Sequence, residues 1–213
     1  MRILFYDTIQ DSDAPDTIKS PILSKTTEIS GSITIVFDRQ RIINAIGLAN
    51  TDGTTFTVNG QVINFNGNGL YLINQIQTNT LTITTNGSYI GRIGAGMGIN
   101  IPTSVRKEPA YCSTANPRMT LSGQVVHGAG GYNYRMISLD SRYKIDSFAM
   151  SEIENGYKYI SKGYPFFIDL TDESYKLLFN KFYGIDSNQQ QMSFESGIRR
   201  FLYLRRFEFR ECF

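Results

Sequence analysis

Between Gly87 and Pro102 the chain reads GSYIGRIGAGMGINIP, with five glycines in sixteen residues. Such runs can cradle a phosphate. A Walker loop needs a lysine followed by serine or threonine, because the ammonium and the hydroxyl hold phosphate and magnesium. Here Gly91, Gly94, Gly96 and Gly98 lead into Ile99 and Asn100. A dinucleotide fingerprint needs its glycines to open a helix after a strand. This run instead ends in Ile99, Asn100, Ile101 and Pro102, which leaves no helix N-terminus to hold an anion. It reads as a strand over Tyr89 to Ile93, followed by a glycine turn where main chains approach closely or bend.

Asp11, Asp13 and Asp16 share one short stretch, DSDAPD. Calcium takes several carboxylate oxygens, but the spacing lacks the glycine and distal glutamate of an EF-hand, so the stretch reads as a solvated acidic turn. His127 is the only histidine. No Gly-x-Ser-x-Gly motif accompanies it and no zinc-ligand spacing surrounds it, so it reads as a loop histidine. Asp140, Asp146, Glu152 and Glu154 flank a strand–helix boundary, but nothing in their spacing sets two of them across a glycosidic bond. Cys112 and Cys212 carry no framework pattern and read as free thiols, with a single bridge between them as the alternative. No catalytic, cofactor-binding or metal-ligating residue is assigned, and neither cofactor nor enzymatic activity is expected.

The closing stretch, GIRRFLYLRRFEFRECF, carries Arg199, Arg200, Arg205, Arg206 and Arg210 among aromatics. That mixture can hold single-stranded nucleic acid when stacking rings and phosphate contacts share a face. Alternation separates them here. Phe201, Tyr203, Phe207 and Phe209 fall on one face, and Arg200, Leu202, Leu204, Arg206, Glu208 and Arg210 on the other. The second face reads instead as a protein interface built from Arg200, Leu202, Leu204, Arg206 and Arg210, since arginine is favoured at such surfaces.

The elements that carry these residues are mostly strands. SITIVFD sets Ile33, Ile35 and Phe37 on one side, and TLTITT sets Leu81 and Ile83 against Thr80, Thr82 and Thr84. Period-2 alternation of β-branched residues marks half-buried strands. Arg41 to Asn50, Thr54 to Gly67 and Leu70 to Ile76 give further strands, with Asn59-Gly60 as a tight hairpin turn. Asn66-Gly67 and Asn86-Gly87 repeat the punctuation. The segment PTSVRKEPAYCSTANP reads as a polar, proline-bounded connection. Beyond it, Arg118 to Val126 and Tyr134 to Asp140 read as strands. Met150, Ile153, Tyr157 and Ile160 follow helical spacing, with Ser147 or Ser151 as cap. YPFFIDL reads as a short buried strand, TDESYKLLFNKFYG as a short helix, and the arginine-rich end as a long strand.

The expected fold is therefore mainly β: an antiparallel β-sandwich over residues 1–103, a connection over 104–117, and a β-rich second lobe over 118–213 with short helices near 148–162 and 172–181. The chain has 213 residues, 19% charged and 13% aromatic, and a net charge of +2. Nothing in that balance points to a polyanionic partner. No run reaches the roughly 20 apolar residues of a membrane span. The apolar run Ile3 to Tyr6 is too short for a signal-peptide core and reads as a first strand.

In the order of its segments the chain resembles a family of tailed-bacteriophage virion proteins that begin with a discoidin-like (galactose-binding-like) β-sandwich. SITIVFDRQRIINAIGLAN, LTITTNGSYIGRIGAGMGINIP, TLSGQVVHGAGGYNYRMISLD, GYPFFIDL, FYG and FLYLRRFEFRE carry the resemblance. It implies a tail or baseplate component, assembled in the bacterial cytoplasm and built into the virion. Its partners would be other virion proteins and copies of itself. Recognition of a glycan at a tail tip is the alternative. The stretch after IGLAN is short and rich in glycine and asparagine, and the only nearby candidates for a sugar platform, Tyr71 and Tyr89, read as core or face residues of strands. That favours a scaffold over a sugar site.

Overall fold

Ser32, Thr34 and Val36 alternate with Ile33, Ile35 and Phe37, and Ile35 and Phe37 are buried while Thr34 and Val36 are exposed. The alternation sets one face of the sheet in a core and leaves the other to water. The computed structural model describes residues 2–100, 106–113, 117–119, 125–127, 133–144, 147–160, 164–170, 181–186, 194–196 and 202–211; side chains are described for 2–100, 148, 151–156, 159 and 164–170.

In chain order the first elements are β1 (Arg2–Leu4), a 3-10 turn (Thr8–Asp11), α1 (Asp16–Lys19), β2 (Thr27–Glu28), β3 (Ser32–Thr51), β4 (Thr55–Val58), β5 (Gln61–Asn64), β6 (Gly69–Thr85), β7 (Tyr89–Gly96) and β8 (Gly98–Asn100). Then come β9 (Arg106–Ser113), β10 (Pro117–Met119), β11 (Val125–His127), β12 (Asn133–Lys144), α2 (Ser147–Ile160), β13 (Phe166–Asp169), β14 (Lys181–Asp186), β15 (Phe194–Ser196) and β16 (Leu202–Glu211). The protein is mainly β, and the strand pairings among the described residues are antiparallel. One sheet has the order β2-β7-β3-β6-β4-β5. A second runs β8-β1-β13-β14-β16-β12-β9, with β15 also paired to β16. β10 and β11 form a separate pair.

Two segments read as separate strands, SITIVFD and RIINAIGLAN, are one strand, β3. Leu70 to Ile76 and TLTITT likewise merge into β6. Their mutual register shifts between Val36 and Arg41 and again between Ile43 and Ala45. Extra residues at such bulges bend a strand without ending it. Residues from both ends of β3 and β6 therefore share one core: Ile35, Phe37, Leu81 and Ile83 with Ile43, Ile46, Leu48 and Tyr71. Ile9, Ala14 and Ile18 from the amino-terminal segment join it. The opposite face of the same sheet packs Ala45, Ala49 and Leu70 against Leu4 of β1 and Phe167 of β13. This face-to-face packing is the sandwich-like part of the fold.

Asn59-Gly60 forms the tight turn between β4 and β5, with φ of 45° and 83° at its two residues. Both values are positive, as a twist-matched two-residue hairpin requires. α2 forms where helical spacing placed it, and β13 and β16 form at YPFFIDL and at the arginine-rich end.

Four local expectations are corrected. The strand at the glycine run does not end at Ile93; β7 continues through Gly94 to Gly96, and β8 starts at Gly98. The expected close approach is present, since a Cβ on Gly96 would stand 2.6 Å from the Tyr6 carbonyl, but it falls within strand β7 rather than in a turn after Ile93. Arg106 to Ser113, inside the segment read as a connection, is strand β9, the outermost strand beside β12. Pro109 fits there because an outer strand tolerates a residue without an N–H. Arg118 to Val126 is not one strand, because Arg118 pairs with Val126 in the β10–β11 hairpin. His127 consequently ends a strand, β11, rather than lying in a loop. The helix read over 172–181 lies outside the described residues up to 180, and Lys181 begins β14.

Candidate functional site

Two arginines stand where alternation calls for apolar residues. Arg92 lies in β7 between buried Gly91 and Ile93, and Arg41 lies in β3; they are 2% and 6% exposed. A buried guanidinium is costly unless its donors are met, so each should have drawn acceptors around it.

Arg92 meets Asp7. The residue lies just before the 3-10 turn and caps it, its Oδ1 accepting from the Ile9 N–H at 3.0 Å. The same oxygen accepts from the Ala95 N–H at 3.0 Å, and Oδ2 accepts from Arg92 Nη2. Arg92 Nη1 donates to the Ile18 carbonyl at 2.8 Å. Thr8 donates to the Ala95 carbonyl at 2.8 Å. The amino-terminal segment is thus bound to β7 through both backbone and side chains. Burial pushes the Asp7 carboxyl above its ordinary range, against the Arg92 charge and the two N–H groups.

Arg41 belongs to an adjoining network. Its Nη1 donates to the Tyr6 hydroxyl at 3.1 Å and its Nη2 to Asp38 at 2.7 Å, with Asp11 3.9 Å away. The guanidinium carbon lies 5.7 Å from the Tyr6 ring centroid, within range of a cation–π attraction. Asp11 accepts the Tyr6 hydroxyl on one oxygen and the Tyr159 hydroxyl, at 2.6 Å, on the other. Burial, and then Asp11, raise the pKa of both tyrosines. Burial also raises Glu152 of α2, with Arg41 opposing it. Asp11 therefore joins α2 to the amino-terminal segment.

Between these networks lies a cavity of about 10 Å³, bordered by Asp7, Gln10, Arg92, Tyr159, Tyr164 and Phe166. That is room for about one water molecule. Asp7, the one carboxylate bordering it among the described residues, already accepts from the chain itself. The arrangement cross-links four pieces of the fold: the amino-terminal turn, β3, β7 and α2.

The acidic stretch DSDAPD differs from the solvated turn expected of it. Asp13 and Asp16 are exposed, but Asp11 binds two tyrosines, and Asp13 Oδ1 accepts from the Val36 N–H at 2.6 Å. Short acidic side chains in a turn find nearby donors before water does when a sheet edge is adjacent. Among the described residues, no three His, Cys, Asp or Glu side chains gather as metal ligands, and no helix is long and apolar enough to cross a membrane.

Leu202, Leu204, Arg206 and Arg210 lie on β16, flanked by β12 on one side and by β14 and β15 on the other. Their side chains, and all of Arg200, lie outside the described residues, as do Asp146 and Cys212. Tyr71 is 5% exposed, and its hydroxyl is bonded to Asn66 and Gly67; it is a core residue and offers no stacking platform. The reading from sequence missed Asp7, Arg41 and Arg92. The signal for the arginines was present: a cation at a buried phase of an apolar strand.

Comparison with protein-family models, with curated proteins and with solved structures gave no match to this chain.

Proposed function

We propose that the chain is a structural component of a bacteriophage virion, a tail or baseplate protein that acts by assembling with other virion proteins and with copies of itself. In this reading it catalyses no reaction, its amino-terminal part is a discoidin-like sandwich, and it is made in the host cytoplasm before entering the particle. The resemblance in segment order motivates the reading. The observation that best supports it is how the buried arginines and their partly buried carboxylate partners are used. Asp7, Arg92, Asp11 and Arg41 direct their polar atoms at the chain's own turns and strands. Such cross-links suit a rigid building block, because polar networks that tie several elements together favour one arrangement of the core, even though the Nε of Arg41 and of Arg92 is buried with no hydrogen-bond partner among the described residues.

The proposed contact with neighbours is the face of β16 that carries Leu202, Leu204, Arg206 and Arg210, together with Arg200, which precedes the strand and lies outside the described residues. β16 has strands on both sides, so a neighbour would meet its face or its end rather than extend the sheet there. Light scattering on the purified protein across a concentration series tests this. A defined oligomer, weakened by Arg206→Glu with Arg210→Glu, is the expected result. A monomer at every concentration, together with specific binding on a glycan array, would replace assembly by carbohydrate recognition.

A further inference from the structure

The chain contains Asn-Gly pairs at Asn59, Asn66, Asn68, Asn86 and Asn155. An asparagine before glycine can lose ammonia spontaneously. The glycine nitrogen gives up its proton to base and attacks the asparagine Cγ. A C–N bond closes a five-membered succinimide as the side-chain nitrogen leaves as ammonia. Water then opens either carbonyl of the ring, giving aspartate or isoaspartate. The reaction needs a carboxamide free to turn and a glycine N–H that is not held.

The fold sorts the five pairs. Asn59 donates to the Thr80 carbonyl at 3.4 Å and accepts from the Thr82 N–H at 2.9 Å, inside the tight β4–β5 turn. Asn86 accepts from the N–H groups of Thr54 and Thr55 at 2.9 and 3.1 Å and donates to the Thr54 hydroxyl. Its glycine neighbour, Gly87, donates its N–H to Thr85 at 3.0 Å. Asn68 accepts from the Asn50 N–H at 3.0 Å, and Gly69 is locked in β6 opposite Leu48. Asn155 lies in α2, where Gly156 is buried against the main chain of Phe5.

Asn66 is different. It is exposed and lies between β5 and β6 rather than within either. Among the described residues, its carboxamide oxygen is held by the Tyr71 hydroxyl alone, at 3.1 Å, and that hydroxyl has one proton to give. The Gly67 carbonyl competes for the same proton at the shorter distance of 2.5 Å. Among the described residues, the Gly67 N–H donates to none. Exposure does not separate the sites, because Asn59, Asn86 and Asn155 are exposed too. What separates them is how firmly the carboxamide and the next N–H are held. We propose that Asn66-Gly67 is a site of spontaneous deamidation, set apart from the other four pairs by the fold.

The test is peptide mapping by mass spectrometry of the intact chain held in mildly alkaline buffer, with isoaspartate and released ammonia measured alongside. Each hydrogen bond that must break first slows a site by about fivefold. Asn66 should therefore convert at least about fivefold faster than Asn59 and Asn86 in the folded protein. In denaturant the exposed-loop pairs should react at similar rates. Asn66→Gln should remove most of the isoaspartate formed by the folded chain. Conversion of Asn59 or Asn86 at the rate of Asn66 in the folded protein would overturn the proposal. So would the same ranking in folded and denatured chains, which would assign the rates to sequence alone.

Discussion

The ring of Phe167 occupies the space that a side chain on Gly47 would fill. A Cβ built on Gly47 would run into that ring, and one on Gly94, its cross-strand partner, would lie 2.6 Å from Phe167 Cε2. The two glycines form a seat on β3 and β7, and the ring in it is 1% exposed. This is how the second sheet engages the first. Removing so buried a ring costs about 3–5 kcal/mol. Phe167→Ala should lower the unfolding free energy by that order in denaturant titration. Gly47→Ala should also destabilise, by displacing the ring. The pair should be strongly non-additive, because once the ring is gone the added methyl has nothing to displace. Additive losses would show that ring and glycine do not depend on one another.

The Asp7–Arg92 pair gives a second expectation. Arg92 is buried and the Asp7 side chain is 14% exposed, so removing Asp7 leaves the Arg92 charge uncompensated, at a cost of up to about 3–5 kcal/mol. Asp7→Ala should fall in that range and should also release the 3-10 turn it caps. Adding Arg92→Met should recover part of the loss, because an apolar residue needs no acceptor. Chemical denaturation of the three variants measures this; a double variant less stable than Asp7→Ala would contradict it.

Gly156 reverses an ordinary rule. Glycine within a helix costs about 0.5–1 kcal/mol relative to alanine, so Gly→Ala usually stabilises. Here a Cβ would strike the Phe5 carbonyl, which is main chain and cannot swing aside. Gly156→Ala should lower the melting temperature, and a rise would mean that α2 does not sit against Phe5.

Titration should reveal two loops with opposite signs. Ser88 donates its hydroxyl to Asp52 at 2.5 Å, and the N–H groups of Ser88 and Tyr89 donate at 2.9 and 3.1 Å. These bonds, led by the hydroxyl, hold the Asp52 carboxyl below its ordinary range. Its stabilising effect is present above the ordinary carboxylate pKa and is lost as pH falls through the lowered folded value. Asp52→Asn should flatten that part of the acid limb. Tyr71 behaves oppositely. Burial pushes its hydroxyl up to about 12, so the unfolded chain releases that proton first and stability falls as pH rises from about 10 to 12. Tyr71→Phe should reduce this alkaline slope, while Tyr6 and Tyr159 keep their share. Unfolding midpoints measured across both ranges check the two signs, and an unchanged slope in either variant would contradict its assignment.

Much of the fold was legible in the sequence because alternation and turn chemistry are local. Ile35, Phe37, Leu81 and Ile83 marked the core face of β3 and β6, and Asn59-Gly60 marked the β4–β5 turn. Met150, Ile153, Tyr157 and Ile160 marked α2. The bulges that keep β3 and β6 continuous were not legible, because an extra residue in a strand looks like a break in period. Close approach at the glycines was legible, but not their place inside a strand. Gly94 and Gly96 pattern like a turn, and only Phe167 and Tyr6, distant in sequence, explain them as strand. At the site, Arg41 and Arg92 were visible as charges out of phase. Their partners Asp7 and Asp11 were not, since hydrogen bonds spanning 85 residues, as from Arg92 to Asp7, leave no local trace.

The central proposal is that the chain is part of a virus particle rather than a catalyst or a free lectin. Quantitative mass spectrometry of virus particles purified from cultures that make this chain tests this most directly. The account predicts the chain in every preparation, at a fixed ratio to the tail-tube protein. Particles that are complete and infective without it, with the chain left in the lysate, would contradict the account.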